Sequence, residues 1–325
     1  MNILVIRLKS IGDVVLTLPA VNALRDNYPD ARIVYLTSSE NAGLIAGFQE
    51  VNEVISLDRR SYRTGNPLTF VPQFFRLLRR LRTGRFDLAI DFQNYGETAW
   101  LARLTGARRR LGITTGENRR WAYTVRMQRD HKVHHVDRNL ALLRAGGLTT
   151  EQLRNNFKLP QSAQLAAREF LQSKGVDMMR PILFVQPFTS SPQKDWQLEN
   201  YLAVAAHWQA HCGPVIFGGG PNDRGRLQSA IGDRFCISAG VPLLVTGGLM
   251  QLSRLVLGGD TGGVYLAMAL GRRVVMIIYS KTLDGAGPYQ HRDWAVTTRP
   301  GEQVQSITVL EVIAACERGL GEPAA

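Results

Sequence analysis

Cysteine is scarce in this 325-residue chain: Cys212, Cys236 and Cys316 are odd in number, widely spaced and without a Cys-x-x-Cys pair. Neither a disulfide framework nor a thiolate zinc site is expected, and a reducing compartment is. Long apolar runs are also missing. The stretch 14–24 is cut by Pro19 and Asn22, and nothing approaches the roughly 18 residues that a membrane span needs. Arg7 and Lys9 ahead of an apolar stretch imitate a secretory leader, but Gly12 and Asp13 stand where its apolar core would begin. The N-terminus therefore reads as mature and the protein as cytoplasmic. The loop that opens the first helix holds a single glycine, so the three-glycine dinucleotide fingerprint is absent and a Rossmann dehydrogenase is disfavoured.

What is present is enough chain for two domains of roughly 150 residues each. A hydrophobic fraction of 45% lets both bury a core. The net charge of +12 is concentrated: residues 54–130 contain sixteen Arg, no Lys and six acids. Such a surface draws polyanions, meaning nucleic acid, anionic lipid or a phosphorylated glycan. The plainer reading is an arginine-rich composition throughout, because the whole chain has only six Lys. Tyr62, Trp100 and Trp121 lie in the basic region without any recognisable nucleic-acid motif, so nucleic acid is not the expected partner.

Short β-branched runs alternate with amphipathic stretches. Strands are expected at 3–6, 33–36, 54–55 and 88–90, with helices at 14–27 and 68–81. The rhythm returns with strands at 182–185, 215–217 and 274–278, a helix at 198–209 and a further amphipathic stretch at 249–257. This is the βαβ pattern of parallel sheets. Two doubly wound α/β domains follow, assigned to residues 1–155 and 156–325 across the Gly-, Thr-, Asn- and Pro-bearing stretch 146–160. A closing helix over 307–320 is left free to pack on either domain, the N-terminal one included.

Four loops follow strands and precede helices, where ligands bind in open α/β sheets. Arg7-Leu8-Lys9-Ser10-Ile11-Gly12-Asp13 offers a carboxylate in a first helical turn, suited to a general base or to a helix cap. Phe188 to Trp196 brings Thr189 and Lys194, which can meet a phosphate or simply sit in solvent. Phe217-Gly218-Gly219-Gly220-Pro221-Asn222-Asp223 permits close backbone approach, or an ordinary βα turn. In Gly258-Gly259-Asp260-Thr261-Gly262-Gly263, Asp260 or Thr261 can cap a helix whose bared amides suit a diphosphate. Capping and close packing alone would need the same residues.

In this order, the four stretches resemble glycosyltransferase family 9, the ADP-heptose:lipopolysaccharide heptosyltransferases and their relatives. His134-His135-Val136-Asp137-Arg138-Asn139 looks like a fifth stretch of that family. The resemblance implies a GT-B architecture, two facing Rossmann-like domains with the reaction in the cleft, and inverting transfer of a heptose from ADP-heptose to an acceptor hydroxyl without cofactor or metal. It implies Asp13 as the base. The donor would lie on Thr189, Lys194, Gly219, Asn222, Asp260, Thr261, Gly262, Gly263 and Tyr265. An anionic glycolipid acceptor would lie on Ser10, Gly12, Arg59, Arg60, Arg63, Arg119 and Arg120, with a peripheral contact to the inner membrane. Three departures fall on the donor side: Tyr265 replaces the family histidine, Ile278-Tyr279-Ser280 replaces a Phe-Gly-Pro/Ser turn, and Asn222 stands where an acid is common. These leave room for another nucleotide sugar, or for a non-catalytic glycan-binding protein.

Overall fold

The computed structural model describes residues 1–59, 67–115, 119–130 and 132–321. The chain divides into two compact units, Met1–Phe157 and Lys158–Ala325. The first runs β1 (Asn2–Ile6), α1 (Ile11–Val15), α2 (Leu18–Asn27), β2 (Arg32–Ser38), α3 (Ser39–Ala42), β3 (Glu53–Leu57), α4 (Pro67–Thr83), β4 (Leu88–Asp91), α5 (Gly96–Leu104), β5 (Arg109–Thr114), β6 (Val125–Gln128) and α6 (His135–Ala145). Among the described residues its six strands form one parallel sheet in the order β3-β2-β1-β4-β5-β6. The chain winds outward from β1 to β3, then returns to β4 and winds the other way. The topological switch point, where loops diverge and leave a crevice, therefore lies between β1 and β4.

The second unit repeats the plan with α7 (Gln161–Ser173), β7 (Leu183–Gln186), α8 (Leu198–His211), β8 (Val215–Phe217), α9 (Arg224–Ile231), β9 (Cys236–Ile237), α10 (Leu243–Leu252), β10 (Leu255–Gly259), α11 (Gly262–Ala269), β11 (Val274–Ile278), α12 (Leu283–Ala286), β12 (Ala295–Thr297) and α13 (Val309–Gly321). Its parallel order is β12-β11-β10-β7-β8-β9, with the switch point between β7 and β10. Helix α13 packs on α8, β10 and β11 of its own unit. The central strands are apolar on both faces because helices cover both: β4 and β10 are buried at every position, as parallel sheets require.

Two expected elements differ. The helix over 14–27 is broken into α1 and α2, because Pro19 in the first turn of α2 has no N–H to bond the Val15 carbonyl. The stretch 249–257 is the end of α10 and the start of β10. Ser253 leaves the helix with extended backbone, its hydroxyl donating to the Leu249 carbonyl at 2.7 Å.

One buried knot holds the end of β4. The Asp91 carboxylate accepts from the Tyr123 hydroxyl at 2.6 Å and from the Gln93 amide at 2.8 Å. Burial pushes its carboxyl above the ordinary range, against those hydrogen bonds and others from Thr98 and the Asn94 amide. A Cβ at Gly112 would stand 2.3 Å from the Tyr123 ring and drive the phenol off Asp91. Gly112→Ala is therefore expected to cost about 2–3 kcal/mol, from overpacking and a lost buried hydrogen bond. Thermal unfolding would show it as a Tm lower by several degrees.

Candidate active site

In the first unit the site is built at the switch point. Arg7, just beyond β1, is almost wholly buried. Its guanidinium donates to the Lys9 carbonyl at 2.9 Å and to the Phe92 carbonyl at the end of β4, and it meets Asp13 Oδ2 at 2.6 Å. One buried cation thus ties the loops of adjacent strands to the carboxylate. Gln93 completes the tie, its Oε1 accepting from the amides of Leu8 and Lys9 at 3.0 Å each.

Asp13 receives more donors. Ser10 offers its amide and hydroxyl to Oδ2, both at 3.2 Å, and His135 Nδ1 at the start of α6 lies 3.1 Å from Oδ1. Burial acts to raise the carboxyl's pKa. The His135 hydrogen bond, the charges of Arg7 and His135 and the Ser10 amide outweigh it and hold Asp13 far below the usual carboxylate range. Asp13 is ionised throughout the physiological range. Arg138, one turn along α6, belongs to the same neighbourhood: burial, then the charges of Arg129 and Arg7, push it down to about 10.

The arginines assigned to an acceptor divide. Arg59 pairs with Glu97 at 3.0 Å, and Arg119 donates to the Asn94 carbonyl at 2.7 Å. Arg119 thus holds the loop after β4, and Arg59 the first turn of α5 that follows it. Arg120 follows Arg119 and is exposed. Arg60 and Arg63 lie outside the described residues.

In the second unit the loops after β7 and β10 meet. Lys194 Nζ lies 2.6 Å from Asp260 Oδ2, and the Tyr265 hydroxyl lies 2.7 Å from Asp260 Oδ1 and 2.6 Å from the Ala286 carbonyl oxygen. Both Asp260 oxygens are thereby engaged, and Asp260 does not cap the helix that follows. Thr261 occupies the N-cap of α11 with extended backbone, yet no side chain caps this helix. The amides of Gly262 and Gly263 open its first turn, where an α-helix leaves N–H groups without an intrahelical partner. Thr189 lies against the same strand end: a Cβ at Gly259 would stand 2.8 Å from its methyl. Its hydroxyl, however, donates to the Ser191 carbonyl at 2.9 Å and so shapes its own turn.

The glycines make room as well as baring backbone. A Cβ at Gly218 would stand 2.9 Å from Gln186 Oε1, and one at Gly263 3.3 Å from it. Gln186, at the end of β7, shares the space they leave with the Phe184 ring, 2.4 Å from a Cβ at Gly218, and with the Met250 methyl, 3.2 Å from one at Gly263. In the loop after β8, Gly219 packs on Asp223 and Ala239, and Asn222 is exposed. The acid that acts there is Asp223, which accepts from the Gly220 amide at 2.7 Å. Beyond β11, the Tyr279 hydroxyl donates to the Gln193 carbonyl at 2.6 Å, and Tyr279 lines a pocket of about 380 Å³ with Thr298 and Gln303. Among the described residues, no group of three His, Cys, Asp or Glu is placed to hold a metal, and no helix is long and apolar enough to cross a membrane.

Arg7, His135 and Gln186 were not among the expected site residues. Arg7 and His135 stood inside motifs that carry the resemblance, but their pairing with Asp13 joins positions far apart in sequence. Gln186 has no local signal beyond standing at the end of a strand.

Two doubly wound parallel-sheet units, each presenting charged loops at its switch point, are the plan of the GT-B fold. The chain belongs to glycosyltransferase family 9 (heptosyltransferase), whose model matches residues 74–308. It is 23% identical over 279 residues to lipopolysaccharide heptosyltransferase 3 of Escherichia coli, covering 82% of this chain and 80% of that one. It is similar in fold to the glycosyl transferase family 9 structure from Veillonella parvula, with a TM-score of 0.86 at 21% identity, covering 98% and 97% of the two chains. Escherichia coli heptosyltransferase WaaC with ADP matches at a TM-score of 0.76 and 20% identity over 98% of this chain and all of that one (100%).

Proposed function

We propose that this glycosyltransferase moves a heptose from ADP-heptose to a hydroxyl of a lipopolysaccharide core or a related lipid-linked glycan, with inversion and without a metal, at an anionic membrane surface in the cytoplasm. The observation that carries the reading is Asp13: a carboxylate kept charged by Arg7, His135 and Ser10 and mounted at a switch point. Three donors occupy Oδ2 and one meets Oδ1. A carboxylate has about four lone-pair sites, so Oδ1 is the atom with room for the acceptor proton. A weak base suffices, because a hydroxyl attacking an oxocarbenium-like centre becomes strongly acidic as the new bond forms. His135, donating from Nδ1, holds the carboxylate in place and is a positioning residue, as is Arg7.

On the other unit, Lys194 and the open amides of Gly262 and Gly263 suit the charge that grows on the departing diphosphate. The pocket beside Tyr279 has room for a nucleoside, and the resemblance to ADP-using transferases supports adenosine as its occupant. Arg59, Arg119 and Arg120 suit the phosphates and sugar-acid carboxylates of an anionic glycolipid. The test is donor competition. With a lipopolysaccharide core acceptor, ADP-heptose is expected to release ADP in step with heptose incorporation, while UDP- and GDP-sugars compete weakly. Preferred turnover of a UDP- or GDP-sugar would reassign the donor. Acceptor binding without turnover of any donor would leave a glycan-binding protein.

A further inference from the structure

Helices α4 and α5 and the single turn Arg120–Ala122 pack side by side, and their inner faces feed the core through Leu77, Leu81, Leu101 and Ala122. Their outer faces are not those of an ordinary solvated surface. Phe75 is 61% exposed, Trp100 58% and Trp121 46%, and the two indoles lie against each other with ring centroids 4.3 Å apart. Large exposed aromatics on adjoining helices mark an interaction surface.

The charge around them is mainly positive, although Arg80 is paired with Glu53. Helix α4 carries Arg76, Arg79, Arg80 and Arg82 and no acid in seventeen residues. Arg79 and Arg82 follow exposed Phe75 at the i+4 and i+7 positions, hence on its face of the helix. Arg103 follows Trp100 at i+3. Its charge, second to burial, lowers the pKa of Arg110, whose Nε donates to the Ala122 carbonyl at 2.7 Å. Cations are thus crowded beside the indole pair. The one acid in α5, Glu97, is paired with Arg59.

We propose that this face docks on an anionic phospholipid bilayer, with Trp100, Trp121 and Phe75 entering the headgroup region and the arginines meeting lipid phosphates. Indoles favour that depth because the ring is apolar and its N–H polar. Arginine pairs with phosphate bidentately while its stem covers apolar surface. Arg119, held at the β4–α5 loop by Asn94, is two residues from Trp121. The docked face would therefore border the arginines assigned to the acceptor, and a lipid-anchored acceptor would meet them without leaving the bilayer. The inference rests on the membrane-surface reading above and names the face that serves it.

The chain's own tryptophans supply the probe. Of five, Trp196, Trp208 and Trp294 are buried and only Trp100 and Trp121 are exposed. Vesicles of phosphatidylglycerol and phosphatidylcholine with brominated acyl chains are expected to quench part of the emission. That quenching would disappear in Trp100→Phe/Trp121→Phe. Arg79→Ser/Arg82→Ser is expected to sediment with the same vesicles at least about ten-fold more weakly than wild type. ADP binding, measured alongside, reports that each variant is folded. Wild type that sediments with the vesicles but shows no quenching would overturn this face and leave the membrane reading standing. Wild type that does not sediment would overturn both. Tighter binding of single-stranded DNA than of vesicles at about 0.15 M salt would assign the face to nucleic acid instead.

Discussion

Asp13→Asn is expected to lower kcat by about 10³-fold while leaving the affinity for the nucleotide donor unchanged. General-base assistance contributes typically 10²–10⁴-fold, and the amide keeps the shape of the carboxylate while losing its capacity to take a proton. The substitution also leaves Arg7 buried opposite a neutral group, so it acts on stability as well. The sign follows from the depressed pKa of Asp13. A carboxyl whose folded pKa lies below its unfolded value of about 3.9 stabilises the fold fully above roughly pH 5, and loses that contribution as the pH falls toward the folded pKa. Acid unfolding of wild type should therefore include a component that Asp13→Asn lacks. His135→Gln is the companion variant. It removes one donor but leaves the carboxylate, so kcat should fall far less than in Asp13→Asn. Equal losses in the two variants would make the imidazole, and not the carboxylate, the group that takes the proton.

The second large effect is at the donor. Lys194→Ala is expected to lower kcat/KM by about 10²–10³-fold, the scale seen when one preorganised group facing a developing negative charge is removed. Part of that loss comes from Asp260. Without the ammonium 2.6 Å away, its carboxylate faces the diphosphate uncompensated. Asp260→Asn on the Lys194→Ala background should therefore recover about ten-fold, because it removes the repulsion. Asp260→Asn alone should cost activity by loosening Lys194 and Tyr265. Coupling of this kind is what a double-mutant cycle isolates for residues in contact. Additive losses would mean that Lys194 and Asp260 serve the donor independently.

Much of this was legible in sequence, and for a physical reason. Parallel strands covered on both faces leave unbroken apolar runs such as those at 3–6 and 274–278, and the loops that follow them stand where ligands bind in a doubly wound sheet. The doubly wound fold and the family resemblance are both borne out. The less visible strands were the short or charged ones. Strand β5 opens with Arg109 and Arg110, β9 is two residues long, and β10 shares its apolar run with the end of α10.

At the site, the legible part was local and the hidden part was pairwise. A carboxylate in a helix's first turn can be read from Ser10 to Asp13. That Arg7 would fasten it to the end of β4, and that His135 would reach it from α6, depends on strand order, which no short motif encodes. The same holds for Asp260. Its neighbours predicted a helix cap, but Lys194 arrives from the loop after β7 and Tyr265 from the next helical turn, and together they claim both oxygens. Tyr265, which the resemblance sets where the family has a histidine, thus serves as a group that binds Asp260.

The most direct test of this division of labour is calorimetric titration of ADP into wild type, Lys194→Ala and Asp13→Asn. ADP binding should weaken at least about ten-fold in Lys194→Ala, as expected for a lost charge-assisted phosphate contact, and be unchanged in Asp13→Asn. Loss of ADP affinity in Asp13→Asn equal to that in Lys194→Ala, or no ADP binding by wild type, would contradict that division.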